Sequence, residues 1–157
     1  MQLIYHNRSR LPAEVEAGLG GARWVDKATL LAEADHLVLV LPYSAQSHHA
    51  IGAAELALMK PTATLVNIAR GGIVDDAALA AAMAQGRPAA AGLDVFEGEP
   101  TVHPALLELP NVVLTPHIGS ATVATRLAMA ELAADNLIAA LTGGVPPTPV
   151  NAQALRR

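Results

Sequence analysis

Two stretches, LVLVLP at 37–42 and ATLVNIA at 63–69, are nearly unbroken apolar runs rather than alternations of apolar and polar residues. Such runs are expected where both faces of a strand are buried, the condition of a strand inside a parallel sheet. Around them, short β-rich runs alternate with Ala/Leu-rich helical stretches, the pattern of a parallel sheet covered by helices on both faces. Strands are expected at Leu3–Tyr5, Arg23–Val25, Leu37–Leu41, Thr64–Ile68, Ala90–Val95 and Val112–Thr115.

Helices are expected between them. Pro12 favours a start at Ala13, and Gly20-Gly21 stop a helix that reaches Gly18. Lys27 to Ala34 and Ala53 to Met59 form two more, the second ended by Pro61. Asp75 to Gln85 combines an acidic start with a Gly86 stop, complementing the helix dipole. The longest runs from about Thr122 to Leu141 and closes at Gly143-Gly144, before an irregular VPPTPVN tail.

A length of 157 residues allows one domain with a sizeable core. Aromatics supply only 3% of the chain, so that core must be aliphatic, with Ala, Leu, Val and Ile packed closely between helices and sheet. A net charge of −4 without a basic run speaks against a nucleic-acid partner. Cysteine is absent, which excludes disulfides and thiol chemistry. The start of the chain has no signal-peptide core, and no apolar run reaches the roughly 18 residues of a membrane span, so a cytoplasmic protein without a membrane partner is expected.

In open parallel sheets ligands bind beyond the C-terminal ends of the strands. The segments there are NRSR, PYS, RGG, the EGEP stretch and HIGS. The glycine cluster GLGGAR at 18–23 is not a dinucleotide fingerprint: Arg23 falls where the third glycine belongs, and the cluster follows a helix instead of preceding one. It reads as a helix C-cap turn.

NIARGG at 67–72, GLDVFEGEP at 92–100 and TPHIGS at 115–120 stand at successive strand ends. Together they resemble the D-isomer-specific 2-hydroxyacid dehydrogenase family. The resemblance runs from Leu41-Pro42 through the final helix, and HPALLELPNVVLTPHIGSATVATR is most similar to its glyoxylate/hydroxypyruvate reductase branch. It implies a Rossmann-like, doubly wound parallel α/β sheet and reduction of a small 2-oxo acid to the D-2-hydroxy acid with NAD(P)H.

By the same resemblance Arg70 binds the substrate carboxylate and keto oxygen, a task suited to a planar guanidinium fork that stays protonated. His117 is the acid/base, and Glu99 is the carboxylate that bonds to it and favours imidazolium. Asp94 contacts the nicotinamide end of the cofactor. Leu41, Pro42, Ile68, Ala69, Gly119 and Ser120, at the strand ends, complete the expected cofactor contacts.

After the first strand, Asn7 stands where NAD-preferring members carry aspartate, followed by Arg8, Ser9 and Arg10. Two arginines and no carboxylate suit a 2′-phosphate, so NADP(H) is favoured over NAD(H), which stays possible. No metal site is expected: His48 and His49 are adjacent, their side chains should point apart on a loop surface, and no further ligand has suitable spacing. His103 before Pro104 reads as a turn residue, and Ser44 and Ser47 lack an activating partner.

If Leu3–Tyr5 is the second strand of such a sheet, its first strand and glycine-rich loop lie before Met1, with most of the substrate domain. Residues 1–121 then form a partial dinucleotide-binding domain, and 122–157 a helix and tail that return to the substrate domain. The missing strand is central in the order 3-2-1-4-5-6, leaving a gap of roughly 9.5 Å between its neighbours. Direct pairing of the flanking strands, strand exchange between chains, or an accompanying N-terminal segment could each close it, and a homo-oligomer is expected. The alternative to an oxidoreductase is an inactive remnant that binds nucleotide or self-associates.

Overall fold

Strand β3 (His36–Leu39) buries Leu37 and Leu39 and turns Val38 outward, half exposed. The same alternation continues in β4 (Thr64–Asn67), β5 (Ala90–Leu93) and β6 (Val112–Leu114), which pair in that order into one parallel sheet. The computed structural model describes residues 1–153. In register, Leu37, Leu65 and Ala91 stand side by side, as do Leu39, Asn67 and Leu93.

Helices α2 (Lys27–Glu33), α3 (Ala53–Leu58), α4 (Asp76–Ala84) and α5 (Pro104–Leu107) close over this side of the sheet. Leu31, Leu56, Leu79, Met83 and Leu106 join Leu37, Leu39, Leu65 and Leu93 in one buried cluster. Each leucine so buried contributes about 1.5–3 kcal/mol over an exposed one. The side chains of Asp26 and Asp75 cap α2 and α4 by accepting from Thr29 N and Ala78 N. Gly86, at a φ of 81°, follows α4 as the stop read from sequence.

The expectation that both faces of LVLVLP are buried does not hold. Val38 is 50% exposed and Val40 75%, and Ile68 and Val113 are likewise exposed. The reason is one-sided packing, since α2 to α5 all direct their buried residues into the same cluster. The apolar character of the bare face is real; no layer among the described residues buries it.

Strands β1 (Ile4–Tyr5) and β2 (Arg23–Trp24) form a separate two-stranded parallel sheet. Among the described residues β1 pairs only with β2 and β3 only with β4, so the two inner edges do not pair directly with each other. Between β1 and β2, α1 (Ala13–Gly18) ends in the GLGGAR turn. Gly20 and Gly21 adopt φ of 74° and 79°, and the Gly21 and Ala22 amides both donate to Glu16 O. Two positive φ values in succession explain the glycine pair without any ligand.

Helix α5 falls where only a turn is expected. Pro104 takes its first position with His103 as N-cap, a favourable use of a residue that lacks an N–H. The chain divides into two compact units, the first ending at Pro116 and the second beginning at His117. In the second, α6 (Val123–Leu141) is capped by Thr122, and Asn136 ties the tail to it through hydrogen bonds with Thr148. No helix among the described residues is long and apolar enough to cross a membrane.

Candidate functional site

The turn after β4 carries Arg70, and a buried asparagine shapes it. Asn67 accepts a hydrogen bond from Ala69 N at 3.1 Å through Oδ1 and donates to Arg70 O at 3.3 Å through Nδ2. Its sequence signal is an amide side chain inside the otherwise largely apolar run ATLVNIA. A buried amide with both ends satisfied costs little and fixes the turn, whereas an apolar replacement would leave two backbone groups without partners. Ile68 faces outward, Ala69 is buried, and Arg70 is exposed with Nη1 donating to Ala69 O at 2.6 Å.

Gly71 brings this turn against the segment that follows β5. A Cβ built there would lie 1.8 Å from Phe96 O and 2.4 Å from Phe96 C. Only glycine permits that approach, which joins the Arg70 turn to the run from Asp94 to Glu99. Asp94 continues the ladder beyond β5 by donating its N–H to Asn67 O at 3.0 Å, and its Oδ1 accepts from Thr115 Oγ1 at 2.6 Å. Glu99 Oε1 accepts from Phe96 N at 3.0 Å. Arg70, Asp94 and Glu99 thus stand on two backbone segments in contact at Gly71 and Phe96. Asn67, Gly71 and Thr115, not singled out from sequence, hold that arrangement.

Leu41 and Pro42 follow β3, and Pro42 O accepts from Ser47 Oγ at 2.9 Å. Ser47 also receives Ser44 N at 2.7 Å, so the two serines build the loop and show no pairing with a base. In the second unit, His117 has a left-handed backbone, φ 53°, and Ile118 O accepts from Ala121 N. Gly119 and Ser120 lie exposed in the same turn.

At the end of β1, Asn7 Oδ1 accepts from Arg8 N at 2.8 Å, while Ser9 is exposed. The expectation of a turn without a carboxylate is corrected here. Glu16, buried on α1, takes Arg10 in a two-point pairing, Nε to Oε1 at 2.9 Å and Nη2 to Oε2 at 2.7 Å, and also accepts from Tyr5 Oη at 2.7 Å. Arg10 is thereby neutralised locally, and among the described residues no carboxylate pairs with Arg8, the other cation of this turn. Glu16 carries no signal in the sequence, because a glutamate in an amphipathic turn normally faces solvent.

The Arg10 hydrogen bond, with help from Tyr5, holds the Glu16 carboxyl down at about 2, against an ordinary value of 4.5. A depressed folded value means that the stabilisation is complete above pH 4.5 and is lost as pH falls toward about 2. Glu16→Gln is therefore expected to lower thermal stability at neutral pH and to flatten the acid limb of a melting-temperature profile. Parallel limbs in both proteins would count against this pairing.

The pair His48-His49 is the second correction. The rings do not point apart: they stack with centroids 3.8 Å apart and planes at 24°. His49 has a left-handed φ of 48°, which turns its side chain back over its neighbour. The residues that meet it, Asp75 and Glu97, are distant in sequence and had no visible spacing.

The D-isomer specific 2-hydroxyacid dehydrogenase NAD-binding domain model matches residues 1–119. The chain belongs to this dehydrogenase family. It is 54% identical over 99% of its length to a glyoxylate reductase of Thermococcus onnurineus, covering 46% of that protein. Identity with glyoxylate/hydroxypyruvate reductase B of Pectobacterium atrosepticum is 53%, covering 98% of this chain and 48% of the relative. The dehydrogenase fold agrees equally well. The Sinorhizobium meliloti NADPH-dependent glyoxylate/hydroxypyruvate reductase, solved with NADP and malonate, superposes with a TM-score of 0.84 at 40% identity, over 99% of this chain and 47% of that one. The chain thus spans about half the length of the dehydrogenases it matches.

Proposed function

We propose that this chain supplies the nucleotide-binding half and the proton-transfer group of an oxidoreductase that reduces a small 2-oxo acid, of the glyoxylate or hydroxypyruvate type, to its D-2-hydroxy acid. The observation that carries the reading is the Gly71–Phe96 approach, which sets the Arg70 turn beside the segment bearing Asp94 and Glu99. Its family membership and the names of its relatives support the reaction class.

The donor set fits a phosphorylated dinucleotide. Asn7 offers an amide in place of a carboxylate, and Arg8 brings a cation that no acidic side chain among the described residues neutralises. Ser9 adds a hydroxyl. These features favour NADP(H), as does the structural neighbour solved with NADP. When bound, the nicotinamide supplies the hydride. Leu41, Pro42, Ile68, Ala69, Gly119 and Ser120 line its path in this reading, with Asp94 at the nicotinamide end.

Arg70 takes the substrate carboxylate through two parallel N–H···O bonds and polarises the keto oxygen. His117 donates a proton to that oxygen as it gains charge and recovers one in the reverse reaction. Glu99 stabilises the imidazolium form of His117. Residues from 122 onward return, in this reading, to the substrate domain; residues 154–157 lie outside those described.

A second reading, nucleotide binding or self-association without turnover, is favoured by the inner edges of β1 and β3, which no strand among the described residues pairs. Joining the chain to the N-terminal half of a glyoxylate reductase relative separates the two. The joined protein is expected to oxidise NADPH with glyoxylate, at higher kcat/KM than with NADH. A folded joined protein that turns over neither cofactor overturns the oxidoreductase reading.

A further inference from the structure

We propose that His48, His49 and Glu97 form a binding site for a borderline divalent transition ion such as Zn²⁺ or Ni²⁺. Among the described residues this group brings one ligand atom from each side chain within 4.8 Å of the others. Bound ligands about 2.0–2.2 Å from a common ion lie at most about 4.4 Å apart, so small rotations of surface side chains complete the set. Two imidazoles and one carboxylate suit Zn²⁺ or Ni²⁺, whereas Mg²⁺ and Ca²⁺ prefer oxygen alone.

The groups around the two rings are those a metal-bound histidine requires. A ligating imidazole donates its other N–H to an oxygen, which fixes the ring and its tautomer. His48 Nδ1 lies 3.1 Å from Tyr43 Oη, leaving Nε2 for an ion. His49 Nδ1 lies 3.8 Å from Asp75 Oδ2, and its Nε2 lies 2.9 and 3.0 Å from the two Glu97 oxygens. The N···O spacing at Glu97 is also that of neighbouring ligands on one ion. Asp75 is anchored at its other oxygen as the α4 cap, and an approach of about 0.8 Å would bring its free oxygen within hydrogen-bond reach of the His49 N–H.

Backbone features hold these side chains in place. The left-handed His49 is fixed by its N–H donating to Gly72 O at 2.8 Å, and the Glu97 N–H donates to the buried Asp76 at 3.0 Å. An ion here would fasten the loop after β3 to the segment after β5, two residues before Glu99. The site does not depend on the assignment of the reaction, because none of its three ligands has a part in it.

The test uses metal-stripped residues 1–157 titrated with ZnCl₂ and with NiCl₂ by calorimetry. One ion per chain is expected, with a rise in melting temperature on saturation and no response to MgCl₂. Glu97→Gln preserves shape, and His49→Asn keeps a residue that tolerates a positive φ. Each is expected to weaken binding at least tenfold and to abolish the thermal shift, while His36→Gln changes neither. On the unaltered chain, Zn²⁺ should protect His48 and His49 from diethyl pyrocarbonate but leave His6 and His36 reactive. Absent binding, binding unchanged in both variants, or equal modification with and without ion overturns the site and leaves an imidazole–carboxylate pair.

Discussion

Gly71→Ala is expected to cost about 3 kcal/mol or more of folding stability, more than any other single methyl group added to this loop system. The new Cβ would meet Phe96 O at 1.8 Å, and both partners in the clash are backbone or bonded directly to it. No rotamer relieves such a contact. The two segments must separate by about 1.5 Å to restore ordinary carbon–oxygen spacing. That displacement loosens Phe96, Ile73 and Val74, all buried. In the joined enzyme it also shifts Arg70 against Asp94 and Glu99, and a displacement near 1 Å can cost about a hundredfold in rate.

Gly98→Ala is the control that separates crowding from dihedral strain. Gly98 has a φ of 80° but nothing within 4 Å of an added Cβ. Its cost should be the left-handed penalty alone, about 1–2 kcal/mol. Urea unfolding of both variants measures the difference. Equal midpoints would mean that the Gly71–Phe96 approach is not the feature that holds the two segments together.

The largest expected effect on rate is at His117. If His117 has its proposed role, removing this proton donor from the joined protein should lower kcat by about 10²–10⁴. Alanine would confuse lost chemistry with a changed backbone, because His117 has a φ of 53°. His117→Asn avoids this, since asparagine tolerates the left-handed region. It should leave NADPH binding intact while turnover falls, a pattern seen by fluorescence titration beside steady-state kinetics. Arg70→Lys keeps the charge and loses the fork, so kcat/KM for glyoxylate should fall while NADPH affinity holds. Wild-type kcat in His117→Asn would remove His117 from the proposed role.

Much of the fold is legible along the chain because its signals are local. Asp26, Asp75 and Gly86 act on the nearest turn, and α1 spans Ala13–Gly18 as its flanking proline and glycines indicate. The six strands lie within the expected ranges apart from an end residue, since apolar runs between turn formers leave few alternatives. Helix α5 is missed because four residues show no periodicity, and only Pro104 marks it. In the site, Arg70 and Asp94 stand at strand ends where a parallel sheet presents its ligand-facing residues.

What the amino-acid order by itself determined is the succession of parallel strands and helices, the position of each turn, and which residue types stand at the strand ends. The tertiary structure alone decided which distant residues meet. Glu16 closes on Arg10, Phe96 O fills the space that Gly71 leaves, and Glu97 reaches His49 across 48 positions. It also decided that, among the described residues, Val38, Val40, Ile68 and Val113 on one face of the sheet stay exposed, although the strands are apolar on both. The physical reason is range: caps and periodicity act within a few residues, whereas a salt bridge or a close backbone approach depends on the packing of whole elements.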